Sequence, residues 1–203
     1  MIENKEQLMF YIKADRIMNR GKADYTFRER IYSCLFPDYI MKYLETLRKE
    51  EYLENKKSLI IRYINKKKFI RLGIKLGFSI ATNVFGYGLV LPHYGTIVVG
   101  GGNNIGNYAV LHTSTCITAG KKNIGDGMYL STGAKLINDI SLGSGVSIAA
   151  NTVVTKSIDD ENILIAGSPG IIKKSSLPWY IRDGIEYENR VTKVEDLKRY
   201  YNI

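Results

Sequence analysis

The sequence predicts an α+β protein: an N-terminal α-helical segment, then a parallel β-helix, then a short C-terminal helix. In the first part apolar residues recur three and four apart, as on one face of a helix, whereas in the middle part they recur every six residues. Charged residues also become sparse after about Phe78, where Gly, Asn, Thr, Ser, Ile and Val take over. We place the boundaries at 1–76 for a helical domain, 77–172 for a β-helix domain and 173–203 for a tail with a helix.

The six-residue repeat is the strongest signal in the chain. Counted from Val99, with one extra residue at Lys121-Lys122, every sixth position is aliphatic. These positions are Val99, Ile105, Leu111, Ile117, Ile124, Leu130, Leu136, Leu142, Ile148 and Val154. This period fits neither an α-helix nor an alternating strand, and it indicates hexapeptide coils, each a triangle of about 18 residues with the aliphatic side chains inside.

The C-terminal region should leave this stack of coils. Gly167 to Gly170 are expected to turn the chain out of the last coil. Further on, the pattern from Thr192 to Glu195 is that of a capping box, which predicts that the terminal helix begins there.

Positive charge is concentrated in the helical part. Residues 1–80 contain 18 Lys and Arg against 10 Asp and Glu, whereas residues 81–203 contain 11 against 10. The stretch KKSLIIRYINKKKFIRLGIKLG predicts a basic amphipathic helix, which we expect to pack its apolar face on its own protein. Proximity to an acidic membrane surface is the alternative. No nucleic-acid-binding motif accompanies the charge, so no nucleic-acid partner is expected.

Composition favours a cytoplasmic protein. The N-terminus MIENKEQLMF is polar and lacks the apolar core of a signal peptide, and no apolar run approaches the ~20 residues of a membrane span. Cys34 and Cys116 are too few for a disulfide framework, which favours a reducing compartment.

The chain has two histidines, His93 in LPHYGTI and His112 in VLHTST. They are 19 positions apart, one coil plus one residue, so a single prism places them near each other on adjacent coils. Extrapolation of the repeat places His93 on the inward phase and His112 on the outward phase, but His93 lies in the irregular first coil, so the repeat does not fix its direction. Either could be a catalytic group or a histidine that is merely half-buried or on the surface.

The stretches LPHYGTIVVGGGNNIG, IGDGMYLSTGAKL and IAGSPG, within residues 75–175, resemble the serine O-acetyltransferases and the related surface-polysaccharide O-acetyltransferases. The resemblance implies a left-handed β-helix, a homotrimer, and acetyl-CoA in the groove between neighbouring prisms, with no metal. It implies that His93 is the general base that removes a hydroxyl proton during attack on the thioester. His112 is a second candidate in the catalytic site.

The same resemblance implies the residues that contact acetyl-CoA. The small-residue hexads along which pantetheine runs match two stretches here, and the closing motif matches a third. Two lysines beyond it are candidates for the phosphates, with Lys121 and Lys122 as further candidates. The expected contacts are Thr132, Gly133, Ala134, Ala150, Ala166, Gly167, Lys173 and Lys174.

Two departures from the serine enzymes bear on the acceptor. Those enzymes keep an acid directly before the motif histidine and another about fifteen residues upstream, where this chain has Pro92 and Phe78. The ammonium group of serine favours a nearby carboxylate, so these losses favour a neutral acceptor such as a sugar hydroxyl in surface-polysaccharide biosynthesis. Serine acetylation in cysteine biosynthesis is the alternative. More remote alternatives are a zinc enzyme of the γ-carbonic anhydrase type, which needs three histidines per site, and a non-catalytic scaffold.

Overall fold

The structure, a computed structural model, describes residues 2–56 and 59–203. Met1 and the residues Lys57 and Ser58 of the predicted basic helix lie outside the described ranges. The first part is helical, as predicted. Its helices are α1 (Lys5–Arg20), α2 (Phe27–Leu35), α3 (Tyr39–Asn55) and α4 (Leu59–Leu76).

Local sequence explains where the first helices begin and end. The Asn4 side chain accepts a hydrogen bond from the backbone N–H of Gln7 at 2.8 Å, which caps α1, and Gly21 ends that helix with φ +77°. Thr26 and Glu29 form a reciprocal capping box at the start of α2. Both ends of α1 and the start of α2 therefore lie at residues that suit a helix end.

Thirteen short strands follow in the described chain. They are β1 (Phe78–Ile80), β2 (Ile97–Val99), β3 (Asn104–Ile105), β4 (Val110–Leu111), β5 (Thr115–Ile117), β6 (Asn123–Ile124), β7 (Tyr129–Leu130), β8 (Lys135–Leu136), β9 (Ser141–Leu142), β10 (Ser147–Ile148), β11 (Val153–Val154), β12 (Ile163–Ala166) and β13 (Ile171–Ser175). They form three sheets in the orders β1-β2-β5-β8-β11, β3-β6-β9 and β13-β12-β10-β7-β4. We call these the first, second and third sheets.

The register confirms the coils that the sequence predicts. Ile97 of β2 pairs in parallel with Thr115 of β5, 18 residues later, whereas Cys116 pairs with Lys135, 19 residues later. The longer coil contains the extra residue at Lys121-Lys122. All ten aliphatic positions of the repeat are at most 4% exposed. The middle of the chain is therefore the predicted left-handed parallel β-helix.

The close stacking of the coils requires glycine at particular corners. A Cβ on Gly100 would lie 2.2 Å from the backbone nitrogen of Ala119 in the next coil, whereas one on Gly101 would meet only the Ala81 methyl at 3.7 Å. Gly100→Ala is therefore expected to lower the free energy of unfolding by about 1–3 kcal/mol. Gly101→Ala is the matched control and should change it little. Urea unfolding followed by circular dichroism measures both, and equal effects at the two positions would contradict the expectation.

Helix α4 packs only in part as the sequence predicts. Only Gly73 and Leu76 are buried, and seven of its apolar side chains are at least half exposed, among them Leu59, Ile60 and Ile74. The expected burial of its apolar face on the same chain holds only for its C-terminal half, where Phe69 and Leu72 pack against the core, whereas Asn65 faces α3 and donates to Glu50 on that helix. In the ranges that the structure describes, no helix is long and apolar enough to cross a membrane.

The C-terminal region leaves the coils at the predicted turn. After residues 167–170, β13 runs back antiparallel to β12. Two helices follow, α5 (Trp179–Arg182) and α6 (Ile185–Tyr201). The capping-box expectation at Thr192 is wrong: α6 begins at Ile185, and the Thr192 hydroxyl instead donates to the carbonyl of Glu188 one turn earlier.

A buried ionic network joins the helices to the first coil. The guanidinium of Arg48 in α3 pairs with Asp15 of α1 at 2.8 Å and with Glu51 at 3.0 Å. It also donates to the carbonyls of Phe85 at 3.0 Å and Gly86 at 2.6 Å. Because Arg48 has no exposed surface, its alignment fixes α1, α3 and the start of the β-helix together.

The outer face of the third sheet is covered by helices from both ends of the described chain. Trp179 of α5 is 2% exposed, and its indole N–H donates to the carbonyl of Tyr108 at 2.8 Å. Phe10 of α1 and Val194 of α6 lie in the same apolar cluster. This packing brings the C-terminal segment next to the histidines.

Candidate active site

One corner of the prism carries nearly all of the predicted site residues. In four coils the chain turns there from the third sheet into the first sheet, at residues 92–96, 112–114, 131–134 and 149–152, and residues 166–168 at the end of β12 stack on the last of these turns. We call this corner the histidine edge. The turns stack through backbone hydrogen bonds: Gly133 N–H donates to Thr113 O at 3.0 Å, and Asn151 N–H to Thr132 O at 2.9 Å. The repeat thus aligns backbone groups and small side chains along one line.

The two histidines meet at the start of this edge. Their ring centroids are 6.3 Å apart, with the planes tilted by 48°. His112 is half-buried and His93 is exposed. His93 is exposed although it falls on the inward phase of the repeat, because the first coil is irregular between Val90 and Ile97 and contains Gly95 at φ +142°.

The backbone before His93 is held by α1. The side-chain amide of Asn19 donates to the carbonyl of Leu89 at 2.8 Å and accepts from the N–H of Leu91 at 3.1 Å. Asp15 accepts from the N–H of Leu89 at 2.9 Å. Pro92 then restricts φ directly before His93. Backbone contacts thus position this histidine, and Pro92 occupies the place where the resemblance implies an acid.

Tyr129, which sequence reasoning missed, lies beside His112 and links it to Arg182 and its two partners. The ring of Tyr129 in β7 lies 5.1 Å from the His112 ring, and the guanidinium of Arg182 lies 4.7 Å from the centre of the Tyr129 ring. Arg182 donates to the Ser147 hydroxyl at 2.8 Å and to Asp183 at 2.7 Å. An adjacent Arg-Asp pair just after a tryptophan was the available signal, but nothing in the repeat relates that segment to the histidines.

Electrostatics keep His112 in its neutral form. Burial of the ring lowers the His112 pKa, and the neighbouring His93 lowers it further, while the carboxylate of Asp183 acts in the opposite direction. A neutral imidazole can accept a proton or a hydrogen bond from a hydroxyl near pH 7.

This pKa shift predicts a pH dependence of stability. An unfolded histidine takes up a proton below about pH 6.5, whereas folded His112 resists it until lower pH. Acidification through that window should therefore destabilise the wild-type protein more than His112→Gln, and above it the difference between the two should stay constant. Melting temperatures of both proteins between pH 8 and pH 5 measure this. A difference that does not change with pH would contradict the assigned shift.

The predicted cofactor residues differ in accessibility. Thr132, Ala150 and Gly167 are exposed on consecutive coils of the histidine edge, and Ala166 is half-buried. Gly133 and Ala134 are buried, so only their backbone can contribute. Small side chains at these places leave backbone donors and acceptors open to a ligand that runs along the edge.

The candidate lysines are not equivalent. Lys173 and Lys174 are exposed on β13, which pairs with the last coil strand β12. Lys122 is 1% exposed, and its ammonium donates to the carbonyl and hydroxyl of Thr118 at 2.9 and 3.0 Å. It also lies on the corner between the first and second sheets. Burial and these hydrogen bonds make Lys122 a weaker candidate for a phosphate contact than Lys121, which is exposed on that other corner.

Metal ligands do not cluster at this edge. Within residues 2–56 and 59–203, no group of three or more His, Cys, Asp or Glu side chains is arranged to hold a metal ion. The edge offers imidazoles, backbone amides and one ion pair as its chemical groups.

Fold and edge together define a β-helix protein built from hexapeptide repeats, with two histidines on one corner of the prism. More particularly, the chain is similar to serine acetyltransferases. It is 32% identical over 150 residues to the serine acetyltransferase of Buchnera aphidicola subsp. Acyrthosiphon pisum, an alignment that covers 68% of this chain and 53% of the relative. The chain thus spans about half the length of that curated relative. No protein-family model matches.

Other relatives and solved structures agree on the fold. The bifunctional protein GlmU of Pseudoalteromonas atlantica is 30% identical over 76 residues, which cover 37% of this chain and 17% of that protein. The crystal structure of Neisseria gonorrhoeae serine acetyltransferase superposes with TM-score 0.63 at 21% identity, over 86% of this chain and 69% of that one. Soybean serine acetyltransferase complexed with serine superposes with TM-score 0.62 at 20% identity, over 83% and 69%.

Proposed function

We propose that this protein is an acetyl-CoA-dependent O-acetyltransferase. The observation that carries the proposal is the placement of His93 and His112, 6.3 Å apart, at the head of the edge formed by Thr132, Ala150 and Gly167. A serine acetyltransferase structure in complex with CoA superposes on the chain with TM-score 0.61 at 21% identity, over 83% of this chain and 69% of that one. Similarity to the Buchnera serine acetyltransferase supports the same chemistry.

The proposed mechanism needs a general base and no covalent acyl-enzyme intermediate. A hydroxyl has a pKa far above 7, so His93 would take its proton as the oxygen attacks the thioester carbonyl. The carbonyl oxygen then becomes an oxyanion, which backbone N–H groups of a turn on the histidine edge would stabilise. Collapse expels the CoA thiolate, and His93 returns the proton to it. His112 would hold the hydroxyl or the neighbouring ring.

The donor would lie along the histidine edge. The pantetheine arm would contact Thr132 and Ala150 and the backbone near Gly133 and Ala134, and it would leave the prism past Ala166 and Gly167. Lys173 and Lys174 would meet the phosphates at that end. Their exposed ammonium groups beside the last coil support this assignment.

For the acceptor, the relatives favour serine over the sugar that the sequence departures suggest. The Buchnera relative is a serine acetyltransferase, and the soybean enzyme was solved with serine. Arg182 and Asp183 add a physical reason: they pair with each other near His112, and if that pair opens, its cation and anion complement the carboxylate and ammonium of an amino acid. Asp183 thus supplies an acid from the C-terminal segment, although Pro92 and Phe78 occupy the two expected acid positions.

A sugar hydroxyl remains the second candidate acceptor, as in surface-polysaccharide biosynthesis. Phe78 is 6% exposed and packs edge-on against Tyr43 at 5.1 Å, so that position offers no charge to an ammonium group. Pro92 likewise offers none. A neutral acceptor needs neither carboxylate.

A CoA-release assay separates these acceptors. Purified protein with acetyl-CoA is expected to release CoA with L-serine as acceptor, and Asp183→Asn should raise KM for serine while leaving KM for acetyl-CoA unchanged. Turnover with nucleotide sugars but not with serine would favour the second candidate. Absence of both transfer and saturable acetyl-CoA binding would contradict the proposal and favour the scaffold alternative.

The assembly and its location are also proposals. We infer a homotrimer, because acetyl-CoA in the groove between two prisms needs a second copy, and light scattering should then give three times the chain mass of 23.0 kDa. The basic, apolar outer face of α4 supports peripheral proximity to an anionic membrane, which vesicle co-sedimentation tests. We place the protein in the cytoplasm, where the free cysteines Cys34 and Cys116 would stay reduced.

A further inference from the structure

Within its described residues, the helical part contains a buried arginine that lacks a hydrogen-bonded anion. Arg16 of α1 is 4% exposed, yet its Nε and Nη1 atoms have no hydrogen-bond partner among the residues that the structure describes. Its guanidinium lies 3.1 Å from the centre of the Tyr25 ring. Stacking on an aromatic ring compensates a buried cation only in part, because it satisfies none of the N–H donors. Buried charges in folded proteins are usually paired, so Arg16 lacks an anion.

The neighbouring charges are already matched to one another. Arg20 forms two hydrogen bonds with Asp38, at 2.6 and 3.0 Å, and Lys22 pairs with Glu29. Burial would raise the Asp38 pKa, but the hydrogen bond from Arg20 and the charge of Arg16 hold it below its usual value. Asp38 therefore stays ionised and occupied by Arg20. Three cations face two carboxylates, which leaves one positive charge without a partner.

These residues line a cavity that could admit the missing anion. The cavity has a volume of ≈370 Å³ and lies between α1 and α2. Its other wall is aromatic: Tyr32 and Phe36 stack 4.8 Å apart with their planes 29° from parallel, and both are exposed. The Ser33 hydroxyl also lines it. None of its residues belongs to the histidine edge.

We propose that this cavity, the Arg16 cavity, binds a small organic anion with one carboxylate or phosphate group on an aromatic ring. The anionic oxygens would accept hydrogen bonds from Arg16, which supplies the unmatched charge, and from Ser33. The ring would lie against Tyr32 and Phe36. The single charge of a carboxylate balances that of Arg16, a phosphate monoester supplies at least that much, and an uncharged molecule leaves Arg16 unpaired. This site does not depend on the proposed acetyl transfer.

Isothermal titration calorimetry with the full chain tests the site. Benzoate and phenyl phosphate are the probes, and benzamide is the uncharged control. We expect saturable binding of at least one anion and none of benzamide, and the tighter anion identifies the headgroup. Arg16→Met should weaken binding by at least about tenfold, the order expected when a charged hydrogen bond is lost. Arg28→Met, an exposed arginine on α2, is the matched control and should bind as the wild-type protein does.

Stability gives an independent readout. Without ligand, Arg16→Met should melt at the same temperature as the wild-type protein or higher, because it removes a buried unpaired charge. Added phenyl phosphate or benzoate should raise the wild-type melting temperature but not that of the variant. Arg16→Lys, which keeps the charge and loses the planar group, should bind more weakly than wild type. No saturable anion binding to the wild type, or equal affinity in Arg16→Met, would overturn the proposal.

Discussion

Replacing His93 with alanine is expected to lower kcat for acetyl transfer by about 10²–10⁴-fold, the range that general-base catalysis supplies. The side chain is exposed at the head of the histidine edge, so its loss should leave the fold intact. KM for acetyl-CoA should change little, because the donor contacts lie on later coils. Steady-state kinetics of the released CoA measure both quantities.

Two further measurements sharpen the test of His93. Added imidazole should restore part of the activity of His93→Ala, since a free base can occupy the vacated space. Tyr94→Phe is the matched control, because Tyr94 is the adjacent residue and is 74% exposed. Activity of His93→Ala close to that of the wild type, at equal melting temperature, would exclude His93 as the base.

Replacing Arg48 with alanine is expected to lower the free energy of unfolding by about 3–5 kcal/mol, the cost of breaking a buried ion pair. The change leaves the carboxylates of Asp15 and Glu51, which are 0% and 2% exposed, without their guanidinium partner. It also removes the donors to the carbonyls of Phe85 and Gly86, at the start of the first coil. Urea unfolding monitored by circular dichroism measures the loss.

Lys49→Ala is the matched control for Arg48. Lys49 is the next residue on α3, it is exposed, and its ammonium lies 3.8 Å from Glu45 on the surface. A surface pair of this kind contributes at most about 1 kcal/mol, so its loss should be small. A loss for Arg48→Ala no larger than that for Lys49→Ala would contradict the assigned network.

The β-helix was predictable because the aliphatic residues that produce the six-residue repeat are also the residues that fill the core of the prism. Each aliphatic residue from Val99 to Val154 in the six-residue repeat fills a fixed layer of the prism, so the pattern also specifies the neighbours 18 or 19 residues away. The first coil is irregular, so the repeat does not specify the neighbours of its residues in this way. The direction of His93 therefore could not be read from the repeat, whereas its proximity to His112 followed from spacing.

The helical regions were less predictable because amphipathicity does not identify a packing partner. The pattern of α4 correctly predicts a helix, but the choice of face packed on α3 depends on side-chain geometry, with Asn65 bonded to Glu50. Similarly, the residues from Thr192 to Glu195 fit a helix start but lie inside α6, where Val194 is buried in the apolar cluster that covers the third sheet.

Within the candidate site, some residues were likewise predictable from the sequence and others were not. Residues on the histidine edge were found from the repeat and the resemblance, because both refer to coil positions. Tyr129 is also a coil residue, but nothing in its surroundings along the chain marks it as part of a site. Arg182 and Asp183 reach His112 only through the packing of α5, a contact between positions about 70 residues apart that no local pattern encodes.

Because α5 packs over the third sheet but follows every coil in the chain, the two parts of the candidate site form at different stages of protein synthesis. Coils of a solenoid can stack as they leave the ribosome, since each contacts mainly its neighbours. His93 and His112 therefore come together once the first two coils exist. Arg182 and Asp183 arrive only after every coil and the return strand β13 have been made. A nascent chain thus forms the pair of imidazoles early and acquires the ion pair of Arg182 and Asp183 last, so the two parts of the proposed site form at different times.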